Sequence, residues 1–354
     1  MLASLTIKKI PLYISVLIIS LFFFISVFCY FIIPDKTINA NSINLTIKSQ
    51  KPGFKKMFFE NVSVANSAKD LFFGSKKISE SYTMDDYEII NDSIIKIINY
   101  DESKKSVVDE KIILINKNSN IHNNVHQIER FIIEKKFIFG TDIYGRDLFS
   151  RIILGTRVSF SIGLMAVFIS NFIGILLGLV SGYYGGYTDK VIVWIINVFW
   201  SIPTLLMVIA LSLALGKGFW QIYIAIGLSI WVDVARLVRG KVISEKNKDY
   251  IFASKVLGYN DIKILLHNIL PNIISPILIF SAANFASSIL LESGLSFLGI
   301  GSQPPTPSWG YMIKENYQYI IFGNSYLIVI PSIFLISLVI SFYYLSNYFA
   351  SKNL

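Results

Sequence analysis

Six long apolar runs set the pattern of this chain, at about 11–33, 158–181, 191–215, 219–237, 272–291 and 325–348. Each is long enough to cross a hydrocarbon layer of about 30 Å as a helix. The last five are joined by short connections within 140–354, whereas the first is followed by a long polar stretch, 34–139, rich in Asn, Lys, Ser and Ile. Within that stretch Ile43-Asn-Leu-Thr-Ile47 alternates strictly, and Val107-Val108 and Lys111-Ile-Ile-Leu-Ile115 flank Asp109-Glu110. Strands are predicted at both places. Ile and Phe are too frequent there for a disordered segment. The pattern predicts an all-α polytopic membrane protein with six transmembrane helices and a small α+β extracytoplasmic insert. Three zones follow: 1–33, a cytoplasmic tail and the first helix; 34–139, the insert; and 140–354, a core of five helices.

The core runs carry packing signals. Gly174-Ile-Leu-Leu-Gly178 and Gly178-Leu-Val-Ser-Gly182 overlap as two GxxxG patterns, and Ala282 with Ala286 and Ala283 with Ser287 place small residues four apart. Close backbone approach drives helix association in lipid, and small residues permit it. Pro203 predicts a kink inside the third run. Glycines in Gly182-Tyr-Tyr-Gly-Gly-Tyr-Thr-Asp189 predict a tight reversal between the second and third.

A mean hydropathy of +0.57 over 354 residues sets the chain apart from ordinary soluble proteins. The first run exceeds a signal-peptide core and is followed by Phe31-Ile-Ile-Pro34, not by a small-residue cleavage site, so it is read as an uncleaved helix. Cys29 is the one cysteine and gives neither a disulfide framework nor a metal site. The formal charge of +9 is not arranged as a basic stripe interleaved with aromatics, which excludes nucleic acid as a partner. Topology accounts for it better. Lys8 and Lys9 precede the first run, and the loop 236–270 carries Arg236, Arg239, Lys241, Lys246, Lys248, Lys255 and Lys263 against Glu245, Asp249 and Asp261. Positive short loops stay inside, so both termini and this loop are expected in the cytoplasm, with 34–139 outside.

Ionisable groups inside the runs would point to ion-coupled transport, and they are nearly absent. Asp233 lies three residues before Arg236, near a helix end, where a local ion pair is expected; Glu292, at the outer end of the fifth run, is expected to be hydrated. His122, His126 and His267 share no ligand spacing, so no metal site is expected. The chain has no G-x-x-x-x-G-K-[ST] loop and no catalytic constellation, so no enzyme activity of its own is expected.

Three polar segments remain. In Asp249-Tyr-Ile-Phe-Ala-Ser-Lys-Val-Leu-Gly258, followed by Ile269-Leu-Pro-Asn272, Asp249 suits a helix cap, Gly258 a left-handed turn and Pro271 the start of the next helix. In Gly140-Thr-Asp-Ile-Tyr-Gly-Arg-Asp-Leu-Phe-Ser-Arg151, Thr141 or Asp142 suits a cap, and Asp147 with Arg151 an i,i+4 pair on an interfacial helix. In Glu292-Ser-Gly-Leu-Ser-Phe-Leu-Gly-Ile-Gly-Ser-Gln-Pro-Pro-Thr-Pro-Ser-Trp-Gly310, three prolines in four positions predict a stiff extended segment, with Trp309 at the membrane interface.

These segments resemble the signatures of ABC-importer permeases of the dipeptide/oligopeptide/nickel family, second-permease branch. Gly140, Thr141, Asp142, Gly145, Arg146, Asp147, Ser150 and Arg151 match one signature at every position, and the string from Gly294 to Gly310 matches another almost throughout. The segment at 249–271 resembles the EAA loop, keeping Ala253, Gly258, Leu270 and Pro271 but carrying Phe252 where the family has Glu and Ser254 where it has a second Ala. The resemblance covers 140 to about 340; the ending Tyr348–Leu354 departs from the family's.

The resemblance implies a type I importer permease fold, a bacterial inner-membrane location and a role as half of a translocation pathway, with peptides as solute. Asp249, Ala253, Ser254, Gly258, Leu270 and Pro271, within the cytoplasmic loop 238–270, would couple to the ATPases. Gln303, Pro304, Pro305, Pro307 and Trp309 would wall an outer vestibule. Implied partners are a homologous second permease, two ABC ATPase subunits holding ATP and Mg, an extracytoplasmic solute-binding protein and membrane lipid. Nickel or another small solute is the alternative cargo. A secondary carrier or channel is the rival class, and it predicts mid-membrane ionisable residues and inverted halves. A membrane-anchored sensor predicts only one or two spans.

Overall fold

A computed structural model describes residues 2–60, 70–75, 81–91, 94–100, 107–114, 132–216 and 218–352. His122, His126, Ile115 and Ser79 lie outside these residues. The chain divides into two units, one of residues 1–29, 152–318 and 328–354, the other of 30–151 and 319–327.

The first unit is a helical membrane core. Its helices derive from α1 (Leu2–Ile32), α2 (Leu148–Tyr184), α3 (Gly186–Trp200), α4 (Thr204–Leu215), α5 (Phe219–Lys246), α6 (Asp249–Val256), α7 (Leu270–Leu298), α8 (Trp309–Asn316) and α9 (Tyr326–Lys352). Among the described residues five helices are long and apolar enough to cross a membrane, and six if the bent pair α3 and α4 forms one span. That pair departs from the kinked helix expected at Pro203: the two halves meet at 91°. Pro203 lacks an N–H and restricts the residue before it, and the helix stops at Trp200 and restarts at Thr204.

Helix ends run well past the apolar runs. α2 begins ten residues before the run at 158, because Leu148, Ile152, Ile153 and Leu154 continue its buried face. α5 extends to Lys246 on charged residues that hydropathy cannot register. The two overlapping GxxxG patterns form a seam. A Cβ on Gly174, Gly178 or Gly182 would stand 2.6, 2.7 and 2.8 Å from the Cβ of Val234, Val238 and Val242 on α5. Each valine is thus a knob seated on bare backbone, and the two helices approach closely. Just beyond, the chain reverses through Gly185, and Asp189 accepts two 2.7 Å bonds from Arg239. On the other side of α2, Phe160, Phe285 and Phe342 cluster with Phe22, Trp309 and Leu338.

The second unit holds two small antiparallel sheets. Their strands are β1 (Lys55–Glu60), β2 (Ser81–Met84), β3 (Asp86–Asn91), β4 (Ile94–Tyr100), β5 (Val107–Leu114) and β6 (Ile132–Lys136). The orders are β2-β1-β6 and β3-β4-β5. β5 falls on the stretch from Val107 expected to be a strand. Ile43–Ile47 does not: Leu45–Ile47 is a 3-10 turn whose N-cap Asn44 accepts from the Thr46 N–H. Asn competes locally for backbone donors and draws the segment out of a strand. The turn leaves Ile43 and Leu45 exposed and buries Ile47 against Phe58 and Phe137.

Candidate functional site

The segment 140–151 is a locked turn rather than the interfacial helix expected of it. Asp142, 1% exposed, organises it. Its carboxylate accepts from the backbone N–H of Tyr144 and Arg146, from Arg146 Nε at 2.6 Å, and lies 3.6 Å from Arg151 Nε. Thr141 Oγ1 donates to the Ile47 carbonyl at 2.5 Å and accepts from Gln50 N–H at 2.9 Å, and Tyr326 Oη donates to the Gln50 and Thr141 carbonyls. Gly145 stands at φ +72°, where a Cβ would meet the Asn44 carbonyl. The cap of α2 is Asp147, not Thr141 or Asp142: its carboxylate accepts from Ser150 N–H at 3.0 Å and from the Ser150 hydroxyl. Burial pushes the Asp147 carboxyl above its ordinary range, against those opposing bonds.

The segment 249–271 is a short helix and a reversal. α6 begins after Lys248, so Asp249 sits in the first turn, where its charge favours the helix dipole, and does not cap. The exit is a Schellman turn. Tyr259 N–H reaches Ser254 O, Gly258 N–H reaches Lys255 O, and Gly258 takes φ +77°. Ile251 and Ser254 form the buried face. Ile251 packs with Val238, Val242, Ile264 and Ile269. Asn268 donates to Ser254 Oγ at 2.8 Å and Asn272 donates to Tyr250 Oη at 2.9 Å, which itself donates to Glu245 at 2.6 Å. Asn268 and Asn272 were missed from sequence, although their i,i+4 spacing places both on one helix face.

Pro271 does not open a fresh helix. The chain is already helical from Asp261, and a π turn, Ile264–Ile269, precedes α7 with Leu270 N–H bonded to Leu265 O. Widening the ladder there accommodates a residue without an N–H. The outward face of α6 and its exit is apolar: Phe252 is 56% exposed, Val256 88%, Leu257 72% and Ile262 65%, with Ala253 exposed among them.

The segment 292–310 also departs from expectation. The prolines do not extend: Pro304 and Pro305 lie in a turn closed by Thr306 N–H to Gln303 O, and the Gln303 amide donates to the Gly299 and Gly301 carbonyls. Trp309 is fully buried rather than interfacial. Its Nε1 donates to Ile152 O at 3.1 Å and its ring lies over Gly155 and against Phe22. Pro307 is buried and only Pro304 and Pro305 are exposed. Glu292 is not hydrated but 0% exposed. Its Oε1 accepts from Ser296 Oγ at 2.6 Å and Ser302 Oγ at 3.1 Å, and among the described residues its Oε2 has no hydrogen-bond partner.

Residues 174–353 match the family described as "Binding-protein-dependent transport system inner membrane component". The dipeptide transport system permease protein DppC of Bacillus subtilis is 40% identical over 197 residues, 56% of this chain and 62% of that protein. The oligopeptide transport system permease protein OppC of the same organism is 40% identical over 177 residues, 50% of this chain and 58% of that protein. The Haemophilus influenzae DppC is 38% identical over 206 residues, 58% of this chain and 70% of that protein. The chain therefore spans less than two thirds of the length of either B. subtilis relative. A solved inward-facing MetNI methionine ABC transporter aligns with TM-score 0.45 and 16% identity over 55% of this chain and 92% of that one. The chain belongs to the family of inner membrane components of binding-protein-dependent transport systems.

Proposed function

We propose that this chain is the transmembrane permease subunit of an ATP-driven importer of di- and oligopeptides, lining half of the pathway and passing motion from ATPase subunits that hold ATP and Mg. One observation carries this reading: the apolar outward face of α6. Phe252, Ala253, Val256 and Leu257 are exposed on a segment flanked by lysines, outside the membrane-length helices, with exposed Ile262 at the very start of the helix from Asp261 to Leu298. Apolar side chains held open to water in this way mark a protein contact. The buried half, tied by Ser254, Asn268 and Asn272, holds that face in a fixed attitude. Phe252, standing where the related loop has Glu, makes the contact apolar there rather than ionic.

The relatives' names, dipeptide and oligopeptide permeases, support peptides as cargo. The partners of the reading are a homologous second permease, two ATPases and an extracytoplasmic binding protein. Asp142 and its neighbours serve as a scaffold; of the vestibule residues, Pro304 and Pro305 alone are open to a delivering protein. The bacterial inner membrane, with both termini inside, follows from the loop charges. Val256→Asp with Leu257→Asp tests the contact. ATPase copurification is expected to fall at least tenfold with the subunit still inserted; undiminished copurification overturns the docking face.

A further inference from the structure

The first membrane-length stretch, Ile10–Ile32, ends in an apolar surface that the chain itself leaves open. Phe31 and Ile32 close that stretch and are 51% and 45% exposed. Of the five single helices long enough to cross a membrane, this one has the smallest share of its apolar window buried in the chain, 22% against 28–61%. Three exposed apolar side chains of the insert join it: Ile38, Phe72 and Phe73, the last 67% exposed.

Phe72 and Phe73 belong to a short helical turn, Asp70–Phe73, and backbone contacts fix this turn to the residues that follow α1. Ser75 N–H donates to the Lys36 carbonyl at 2.8 Å, and Ile38 N–H donates to the Ser75 carbonyl at 3.2 Å. Gly74 stands at φ +79°, and a Cβ there would lie 2.7 Å from the Tyr30 ring, so the segment sits directly on that ring. The Phe72 ring meets the Phe31 ring edge to face, with centroids 5.5 Å apart. The turn is thereby held level with the last residues of α1.

Charge is arranged to suit. From Tyr30 to Ala40 the charged side chains are Asp35 and Lys36. Asp35 is turned into its own loop, where its carboxylate accepts from the N–H and hydroxyl of Thr37 and from the N–H and hydroxyl of Ser42. Lys36 is exposed. The apolar run stops at Ile33 and the first charge is Asp35, so a helix that crosses the bilayer leaves hydrocarbon within this one turn. Aromatic side chains fixed beside that exit enter the same boundary layer, and a lysine at its rim reaches headgroup phosphate along its own apolar stem. Continuity with the open end of a span selects lipid, rather than a soluble protein, as the cover of this surface.

We infer that Ile38, Phe72 and Phe73 form a foot by which the insert rests in the bilayer boundary that α1 leaves, with lipid acyl chains as the occupant and Lys36 at the headgroups. The inference is independent of the cargo and rests on α1 crossing the bilayer.

The test uses the assembled complex in phosphatidylcholine–phosphatidylglycerol vesicles. A lipid-soluble diazirine is photolysed with the unsubstituted complex, and the labelled peptides are identified by mass spectrometry. Label is expected on the α1 peptide and on the peptide that carries Phe72 and Phe73. Label on α1 without label on Phe72 or Phe73 defeats the foot alone; no label on α1 defeats the span and the foot with it. A second reading places a nitroxide at Phe73→Cys in a Cys29→Ser background. Its relaxation by oxygen relative to an aqueous nickel chelate is expected to exceed at least threefold that of a nitroxide at Ile90→Cys, an exposed apolar position on β3. A nitroxide at position 73 that the nickel chelate reaches as freely as oxygen stands in water, and one that neither reaches is covered by protein; either result overturns the inference.

Discussion

Asp142 and Glu292 are both buried carboxyls, and their surroundings differ in kind. Asp142 faces two guanidinium groups and two backbone donors, so its charge is answered. Removing it takes a carboxylate from Arg146, which is 4% exposed and keeps its bond to Asn41, and from Arg151, 1% exposed. Asp142→Ala is expected to cost about 3–5 kcal/mol, seen as a lower melting temperature and poor recovery in detergent; an unchanged melt would show that water answers both arginines. Glu292 meets only hydroxyls, with one oxygen unanswered. Glu292→Gln keeps an acceptor for Ser296 and Ser302 and cannot carry a buried charge, so it is expected to melt no lower than the parent. Glu292→Ala leaves those hydroxyls stranded and is expected to lose about 1–3 kcal/mol; a melt for Gln as low as that for Ala would contradict this account. Gly258 has open space around it, so its requirement lies in φ alone. Gly258→Val is expected to cost about 1 kcal/mol or more and, with Ala253→Arg, to weaken ATPase copurification and uptake while membrane insertion persists.

At the scale of the element, the glycine seam makes the sharpest demand. Gly178→Leu would drive a branched side chain into Val238 and the Ala235 carbonyl, and an overpacked contact costs about 1–3 kcal/mol. Its melting temperature is expected to fall well below that of Gly240→Leu, a control where nothing lies within 4 Å of the added Cβ; equal melts would remove the seam from the account. The seam was legible because small residues repeat at a helical interval. So was the reversal at Gly258, because a left-handed residue leaves few choices of side chain. Helix ends were not legible, since hydropathy registers what contacts lipid and not what continues a helix beyond it. The break at Pro203 was read as a bend because a proline announces disruption without its angle. Trp309 and Glu292 were misplaced for a shared reason: residue type speaks for the surface, and long-range packing decides who is covered. The side chain of Asn44 was a local signal for the 3-10 turn that alternation outvoted, whereas the bond from Asn44 N–H to Tyr144 O joins residues far apart in sequence and was not legible.

For the whole molecule, sidedness is the open quantity with a direct readout. Ser244 lies exposed in the last turns of α5, close to the lysine-rich segment. A cysteine placed there is expected to resist impermeant maleimide in intact cells and to react after permeabilisation, whereas one at Ser79 is expected to react in both; labelling of position 244 from outside reverses the topology. The continuity from Asp261 to Leu298 has a mechanical corollary. The stretch is 38 residues, a rod of about 57 Å. At one end it is clamped to α6 through Asn268, Asn272 and Ile251, and at the other Glu292 and Ser296 grip the chain at Ser302. No hinge loop interrupts it, so a stroke delivered at α6 has two outlets: it emerges at the far grip, or it is taken up as play in the π turn beside Pro271.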